Sequence, residues 1–359
     1  MNLKPLTLPP MVEKIDALLR RIRFDHPKMM NIQIEREMKM KGYQGQKALE
    51  FYLDQLPEKK YDIINDLRLY DGKYYFQIDV LVLSVAFFLD LEAKNRGKEI
   101  IFERELEQAT LVRNNYRERI DNPVLQAKTQ ARKLGKWLQD QNCAAPPIHY
   151  LFVNSNKNTK ITFAYHNHPL NRNICNSEGL LEKIEQIEEF EIEKITQKEL
   201  RKIARLLLAH HTPEDPDILR YFEISPKEIP TGVQCPNSVC HFIGMERRYG
   251  TWYCPKCGTR SKDAHIQAIY DHFLLIKPTI TNAELCNFLH INPRIAYKIL
   301  SAINLPFTGK YRDRVYYKQG YLVPGQSQTM TQGGLPLASH PHAPAPSAIL
   351  HVNKAPCTK

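Results

Sequence analysis

Apolar residues recur at two spacings along this chain, and the switches between them divide it into elements. Met11 to Arg23 places Ile15, Leu18, Leu19 and Ile22 at helical spacing, which predicts a helix. A basic, methionine-rich stretch leads into Gly42 to Leu56, where Ala48, Leu49, Tyr52 and Leu53 form a second helical face. From Tyr74 to Lys94 the pattern changes to two extended runs. Gln108 to Tyr116 reads as a weaker helix. A stronger one begins at Asn122-Pro123, an N-cap with proline at the first helical position, and carries Leu125, Leu134, Trp137 and Leu138. Ile148 to Asn154 reads as a buried strand bounded by Pro146-Pro147 and a polar run. The order helix, strands, helix, strand predicts an α/β domain closing near Phe163.

Beyond it, Leu180 to His210 is a charged helical stretch, and Pro213, Pro216, Pro226 and Pro230 mark a linker. Asp263 to Leu275 is an apolar-periodic helix and Thr281 to Leu289 a second, with Thr281 or Asn282 available as its cap. Pro293, whose fixed φ suits a helix start, opens a third running to Ile303. The short connection and the apolar positions Leu285, Leu289, Ile291, Ala296, Ile299 and Leu300 fit a helix-turn-helix, and Thr308 to Tyr317 alternates like a small hairpin, as in a winged variant. From about Tyr321 the chain turns to Pro, Gly, Ser, Gln and His, a composition expected to stay disordered; His340, His342 and His351 read as part of that solvated tail.

With 359 residues, 43% of them hydrophobic, the chain can form two or three domains around real cores. A net charge of +11 favours a polyanionic partner, which charge alone leaves open between nucleic acid and an acidic membrane surface. No secretory signal is visible, and the longest apolar stretch, Ile78 to Leu91, is too short for a bilayer and is interrupted by Asp79 and Asp90. A soluble, cytoplasmic protein without membrane association is the expectation. Of eight cysteines, four form two tight pairs while Cys143, Cys175, Cys286 and Cys357 are scattered, which fits a metal site in a reducing compartment better than a disulfide framework.

The candidate chemistry begins at Gln77-Ile78-Asp79 and Leu91-Glu92-Ala93-Lys94. Residues two apart on a strand share a face. With a tight turn at Val85-Ala86, paired residue numbers sum to ~171, so Asp79 lies opposite Glu92 and Gln77 opposite Lys94, while Ile78, Val80, Leu89 and Leu91 fill the other face. Two carboxylates so placed can share a divalent cation, and a neighbouring lysine can position water or offset charge on a phosphorane-like transition state. An alternating strand pair with one solvated face offers the same residue types without chemistry.

Lys41-Gly42-Tyr43-Gln44-Gly45, Phe76-Gln77-Ile78-Asp79, Leu91-Glu92-Ala93-Lys94-Asn95 and Asn122-Pro123-Val124-Leu125-Gln126 follow one another in the order and spacing of a known domain. Over roughly Lys41 to Phe163 the chain resembles the nuclease-related domain (NERD) family, which is similar to the PD-(D/E)XK nucleases. The resemblance implies a mixed sheet flanked by helices, with Asp79 and Glu92 as ligands of Mg2+ or Mn2+ and Lys94 as the catalytic lysine. Gln126 corresponds to the polar residue that the family's following helix directs into the site; an exposed helix glutamine is its alternative. One position departs from the pattern: the family's glutamate after the second glycine is here Gln46, a neutral amide that brings no charge to a metal.

Cys235 and Cys240 precede Cys254 and Cys257, the last pair in Cys-Pro-Lys-Cys-Gly. Soft thiolates at this spacing predict a zinc ribbon, with His241 as the alternative ligand if Cys240 points away. Four thiolates leave no open coordination position, so a Zn2+ ion there is structural. Downstream, Arg294, Tyr297 and Lys298 on the third helix and Lys310, Arg312 and Arg314 on the hairpin are the candidate DNA contacts, in a segment from Pro293 to Lys318 with six Lys or Arg and one acid. A protein-binding helical bundle is the alternative for this module.

The expected organisation is an N-terminal helical extension (1–36), a nuclease-like domain (37–165), a helical linker (166–231), a zinc ribbon (232–262), a winged helix-turn-helix (263–320) and a disordered tail (321–359). The expected function is metal-dependent hydrolysis of DNA, targeted by the C-terminal modules, with DNA as partner; a homodimer is compatible with it. The rival readings are a DNA-binding accessory protein weakened at Gln46, and a membrane-surface or protein scaffold.

Overall fold

The computed structural model describes residues 1–103, 108–113, 116–165 and 168–319. The tail expected to be disordered, with its histidines, lies outside them.

In chain order the α/β part runs β1 (Asn2–Lys4), α1 (Pro10–Arg21), α2 (Met29–Leu53), β2 (Asp62–Tyr70), β3 (Tyr75–Leu83), β4 (Phe88–Lys94), β5 (Glu99–Phe102), β6 (Ala109–Arg113), β7 (Tyr116–Ile120), α3 (Pro123–Asp140), β8 (Ile148–Asn154), β9 (Lys160–Phe163), β10 (Ile174–Asn176), α4 (Leu180–Phe190) and α5 (Gln197–His210). Six strands form one mixed sheet in the order β1-β2-β3-β4-β8-β10, antiparallel from β2 to β4 and parallel elsewhere. Apolar side chains cover both faces, as a central sheet requires. On one, α3 and α5 bring Leu134, Trp137, Leu200 and Leu207 against Leu67, Leu81, Leu83 and Phe88. On the other, α2 and α4 bring Leu49, Leu53 and Ile184 against Val80, Val82, Leu89 and Leu91.

The β3–β4 register is the one the hairpin reading requires, with Val80 opposite Leu91 and Leu83 opposite Phe88. Its facing pattern differs at one residue: Ile78 packs with Leu81 and Leu83, on the opposite side from Val80. The change lies beside an irregularity on β2, where Asp66 adopts a left-handed φ of 51° and the β2–β3 ladder omits the pair between Asn65–Val80 and Leu67–Ile78. Alternation breaks there, beside Asp79. Gln77 correspondingly pairs with Arg68 and donates its amide to Asp66, not to a position facing Lys94.

The described residues of the stretch read as a helix from Gln108 to Tyr116 are not helical. They supply β6 and the start of β7 in a second sheet, β7-β6-β5-β9. The physical signal is period two: Ala109 and Leu111 are buried while Thr110 and Val112 are half-buried, and these β-branched residues pack well on a pleated surface. The basic stretch before Gly42 is no separate segment either, because α2 is continuous over 25 residues. Asn122 caps α3, its side chain accepting hydrogen bonds from the Val124 and Leu125 N–H groups. Past Phe163, β10 extends the main sheet, and the chain between α4 and α5 returns to the β3–β4 turn, where the Lys194 and Ile195 N–H groups donate to the Val85 carbonyl.

The remainder comprises α6 (Ile218–Tyr221), β11 (Glu246–Arg248), β12 (Thr251–Tyr253), β13 (Arg260–Ser261), α7 (Ala264–Leu275), β14 (Thr279–Thr281), α8 (Asn282–Leu289), α9 (Pro293–Ile303), β15 (Phe307–Thr308) and β16 (Val315–Tyr317). Thr281, in a capping box with Glu284, is the cap of α8. Two three-stranded sheets, β11-β12-β13 and β14-β16-β15, flank the helices α7 to α9. One core runs from the cysteine-rich segment to β16: Val233 and Trp252 join Ile269, Leu285, Leu300 and Tyr316. Helix α1 ties this body to the rest. Its Ile15 and Leu18 pack with Ile218 and Leu275, and its Arg21 is buried against Asp271 of α7 with an Nε–Oδ2 distance of 2.8 Å.

Candidate functional site

Three of the expected catalytic residues meet where β3 and β4 leave the turn-proximal ladder. Asp79 accepts from the Gln46 amide at 2.8 Å and from the Ala93 N–H at 3.0 Å. Glu92, only 1% exposed, forms an ion pair with Lys94, its neighbour on the same strand face. Burial holds the Asp79 carboxyl above its usual range against the opposing pull of Lys94. Burial, together with the negative charge of Asp79, pushes Glu92 up to about 8. A buried carboxylate whose proton affinity is raised by a second one beside it lacks counter-charge, which a divalent cation between the two would supply.

Gly45 explains how α2 reaches this point. A Cβ there would stand 3.0 Å from both Asn95 Cβ and Ser155 Oγ, so glycine lets the helix approach the end of β4 without pushing these neighbours aside. Gln46, the next residue, is thereby delivered to Asp79. Gln126 is placed differently: it lines an adjoining cavity of about 780 Å³ with Arg96, Asn122 and Gln130.

Two carboxylates beside this group were not singled out from the sequence. Asp66 raises the proton affinity of Asp79 through its charge. Asp90 is fully buried, both its oxygens lack hydrogen-bond partners among the described residues, and burial with the nearby Glu92 and Asp79 holds its carboxyl well above the usual range. Its signal was available: Asp90 interrupts an apolar run and shares a strand face with Glu92 two residues on.

The four paired cysteines converge. Their Sγ atoms all lie within 4.8 Å of one another, with Cys235–Cys257 at 3.6 Å and Cys240–Cys254 at 3.7 Å. Zinc–sulfur bonds of ~2.3 Å in a tetrahedron require sulfur–sulfur edges of about 3.8 Å, so the donor set fits zinc. Cys240, not His241, is the fourth member. Thr259 holds the Cys257 thiol down at about 6 through side-chain and backbone hydrogen bonds, whereas burial pushes Cys235 up to about 12.

At the C-terminal end, α9 buries Ala296, Ile299 and Leu300 and leaves Arg294, Tyr297 and Lys298 exposed. Lys310 and Arg312 are exposed on the segment between β15 and β16; Arg314 is half-buried, its guanidinium 4.5 Å from the centre of the Phe307 ring. The six candidate contacts thus fall on two adjoining elements.

Residues 41–155 match the family model described as nuclease-related domain. The matched span contains Gln46, Asp79, Glu92, Lys94 and Gln126. Comparison with curated proteins and with solved structures returned no match. The class defined by the fold is a mixed α/β protein with sheets flanked by helices, and its span 41–155 is similar to the nuclease-related domain. Among the described residues no helix is long and apolar enough to cross a membrane.

Proposed function

We propose that this protein is a divalent-metal-dependent nuclease acting on DNA, with a structural zinc ribbon and a winged helix-turn-helix that hold the substrate. The carrying observation is the meeting of Asp79, Glu92 and Lys94 at one end of the β3–β4 hairpin inside the nuclease-related span. Asp79 and Glu92 would hold Mg2+ or Mn2+. That ion supplies positive charge beside the scissile phosphodiester and acidifies water there. Lys94, released from Glu92 once that carboxylate has another partner, offsets negative charge that develops during reaction. Gln46 keeps Asp79 oriented, and Gln126 with Arg96 lines the adjoining space for the strand. Cys235, Cys240, Cys254 and Cys257 hold Zn2+, and Arg294, Tyr297, Lys298, Lys310, Arg312 and Arg314 meet the DNA.

The second reading, a binding protein that does not cut, is favoured by Gln46: a neutral amide occupies one Asp79 oxygen where a charged ligand belongs. Incubating the purified protein with single-stranded, duplex and branched DNA, with and without magnesium or manganese and beside Glu92→Ala, separates the two. Metal-dependent products from the wild type alone support the nuclease; binding without products from any form supports the accessory protein.

A further inference from the structure

A cavity of about 800 Å³ opens between α8, the start of α9 and the segment leading into β16. Its walls include Tyr297, Tyr311 and Tyr316, with Arg312, Arg314 and Asn287 among the polar groups, and no acidic side chain lines it among the described residues. Two of the rings are unusually open for their size: Tyr297 is 54% and Tyr311 90% exposed. Arg314 also brings a buried Nε–H that has no acceptor among the described residues.

We propose that this cavity receives an unpaired nucleobase from a DNA end or single-stranded stretch. The inference rests on the DNA-binding reading above and goes beyond it by naming the form of DNA. Tyrosine rings and guanidinium planes stack on the face of any base, and asparagine offers both a donor and an acceptor to a base edge. A paired, stacked base presents neither face, so only an unpaired one can enter. Arg294 and Lys298, exposed on the helix that carries Tyr297, and Lys310, exposed next to Tyr311 in the chain, offer charge to the neighbouring phosphates. An apolar peptide would leave the arginines and asparagines in the walls without partners. Gly309 supports the arrangement: its φ is 81° and a Cβ would lie 2.3 Å from the Asp313 carbonyl oxygen, so the tight turn that presents Tyr311 requires glycine.

The test compares the full-length protein on a closed DNA hairpin with the same hairpin carrying a single-stranded extension that contains 2-aminopurine, without added magnesium or manganese. The extended DNA should bind about tenfold more tightly, and 2-aminopurine fluorescence should fall as the base stacks. Tyr311→Ala should bring the two affinities within about twofold and restore the fluorescence, while Tyr311→Phe, which keeps the ring, behaves as wild type. Because Tyr311 is so exposed, neither change threatens the fold, and unchanged closed-hairpin affinity verifies this. Equal affinities with unchanged fluorescence, alongside intact hairpin binding, would overturn this proposal alone; no binding to either DNA would overturn it together with the DNA-binding reading. Displacement of the extension by an acidic peptide but not by a short oligodeoxythymidine would also overturn it, assigning the cavity to a protein partner.

Discussion

Lys94 sits in an ion pair with Glu92, a carboxylate whose own proton affinity is raised by burial. If its task is to stabilise charge that appears only during reaction, Lys94→Ala should lower turnover about 10²-fold while leaving metal affinity within a few-fold. Single-turnover cleavage beside metal titration reads both quantities, and a loss confined to metal affinity contradicts the assignment. At this scale the sequence was informative wherever strand alternation held. The pairing of Val80 with Leu91 followed from it, and so did the partnership of Glu92 with Lys94. It misled where the ladder is irregular: opposite the left-handed Asp66 alternation breaks and Ile78 lies on the other face, and no local residue pattern announces a φ of 51° at that aspartate.

Among the elements, the helices were the most legible, because caps and apolar spacing act locally. Thr281 with Glu284 and Asn292 before Pro293 mark α8 and α9 without reference to the rest of the fold. The strands β6 and β7 were missed for the converse reason: they are short, and β6 is held in place by pairing with β5 on one side and β7 on the other, contacts that its own residues do not announce. The cysteine cluster is an element of its own. A four-thiolate site of this geometry should return close to one zinc per chain on metal analysis, and removing the ion with a chelator should unfold the β11–β13 region, since structural zinc contributes on the order of 10–16 kcal/mol. Intact folding of that region without metal would defeat the assignment. Helix α7 carries a pH response separate from zinc. Burial holds His272 down at about 4, below its unfolded value near 6.5, so the folded state resists protonation while the unfolded state accepts it. Stability from the neutral ring is therefore complete above about 6.5 and is lost as pH falls toward about 4. His272→Leu removes that dependence, and its stability relative to wild type, followed by urea unfolding with zinc present, should rise as pH falls across that window; a pH-independent difference contradicts the account.

In the whole molecule, the modules read from the sequence are less separate than their boundaries imply. Trp252 donates to His265 at 3.0 Å across the junction at 262–263, and Arg20 and Arg21 of α1 both hold Asp271. Such long-range contacts leave no periodicity to read. Deleting the chain after Asp263 would strip most of a shared core away from Val233 and Trp252, so the DNA surface is better tested by charge removal. With about five phosphates neutralised, log affinity should fall with log salt at a slope of roughly −4 to −5, and replacing Arg294, Lys310 and Arg312 together by glutamine should bring it to about −2. An unchanged slope moves the contact elsewhere.

The central claim is that Asp79 and Glu92 form a divalent-metal site for cutting DNA. Its most direct measurement is cleavage of single-stranded, duplex and branched DNA across a magnesium and manganese titration by wild type, Asp79→Ala and Gln46→Glu. Cleavage by the wild type that depends on metal, disappears in Asp79→Ala while DNA binding persists, and saturates at lower metal concentration in Gln46→Glu is the predicted result. Failure of both the wild type and Gln46→Glu to cut any of these DNAs at any metal concentration would contradict it.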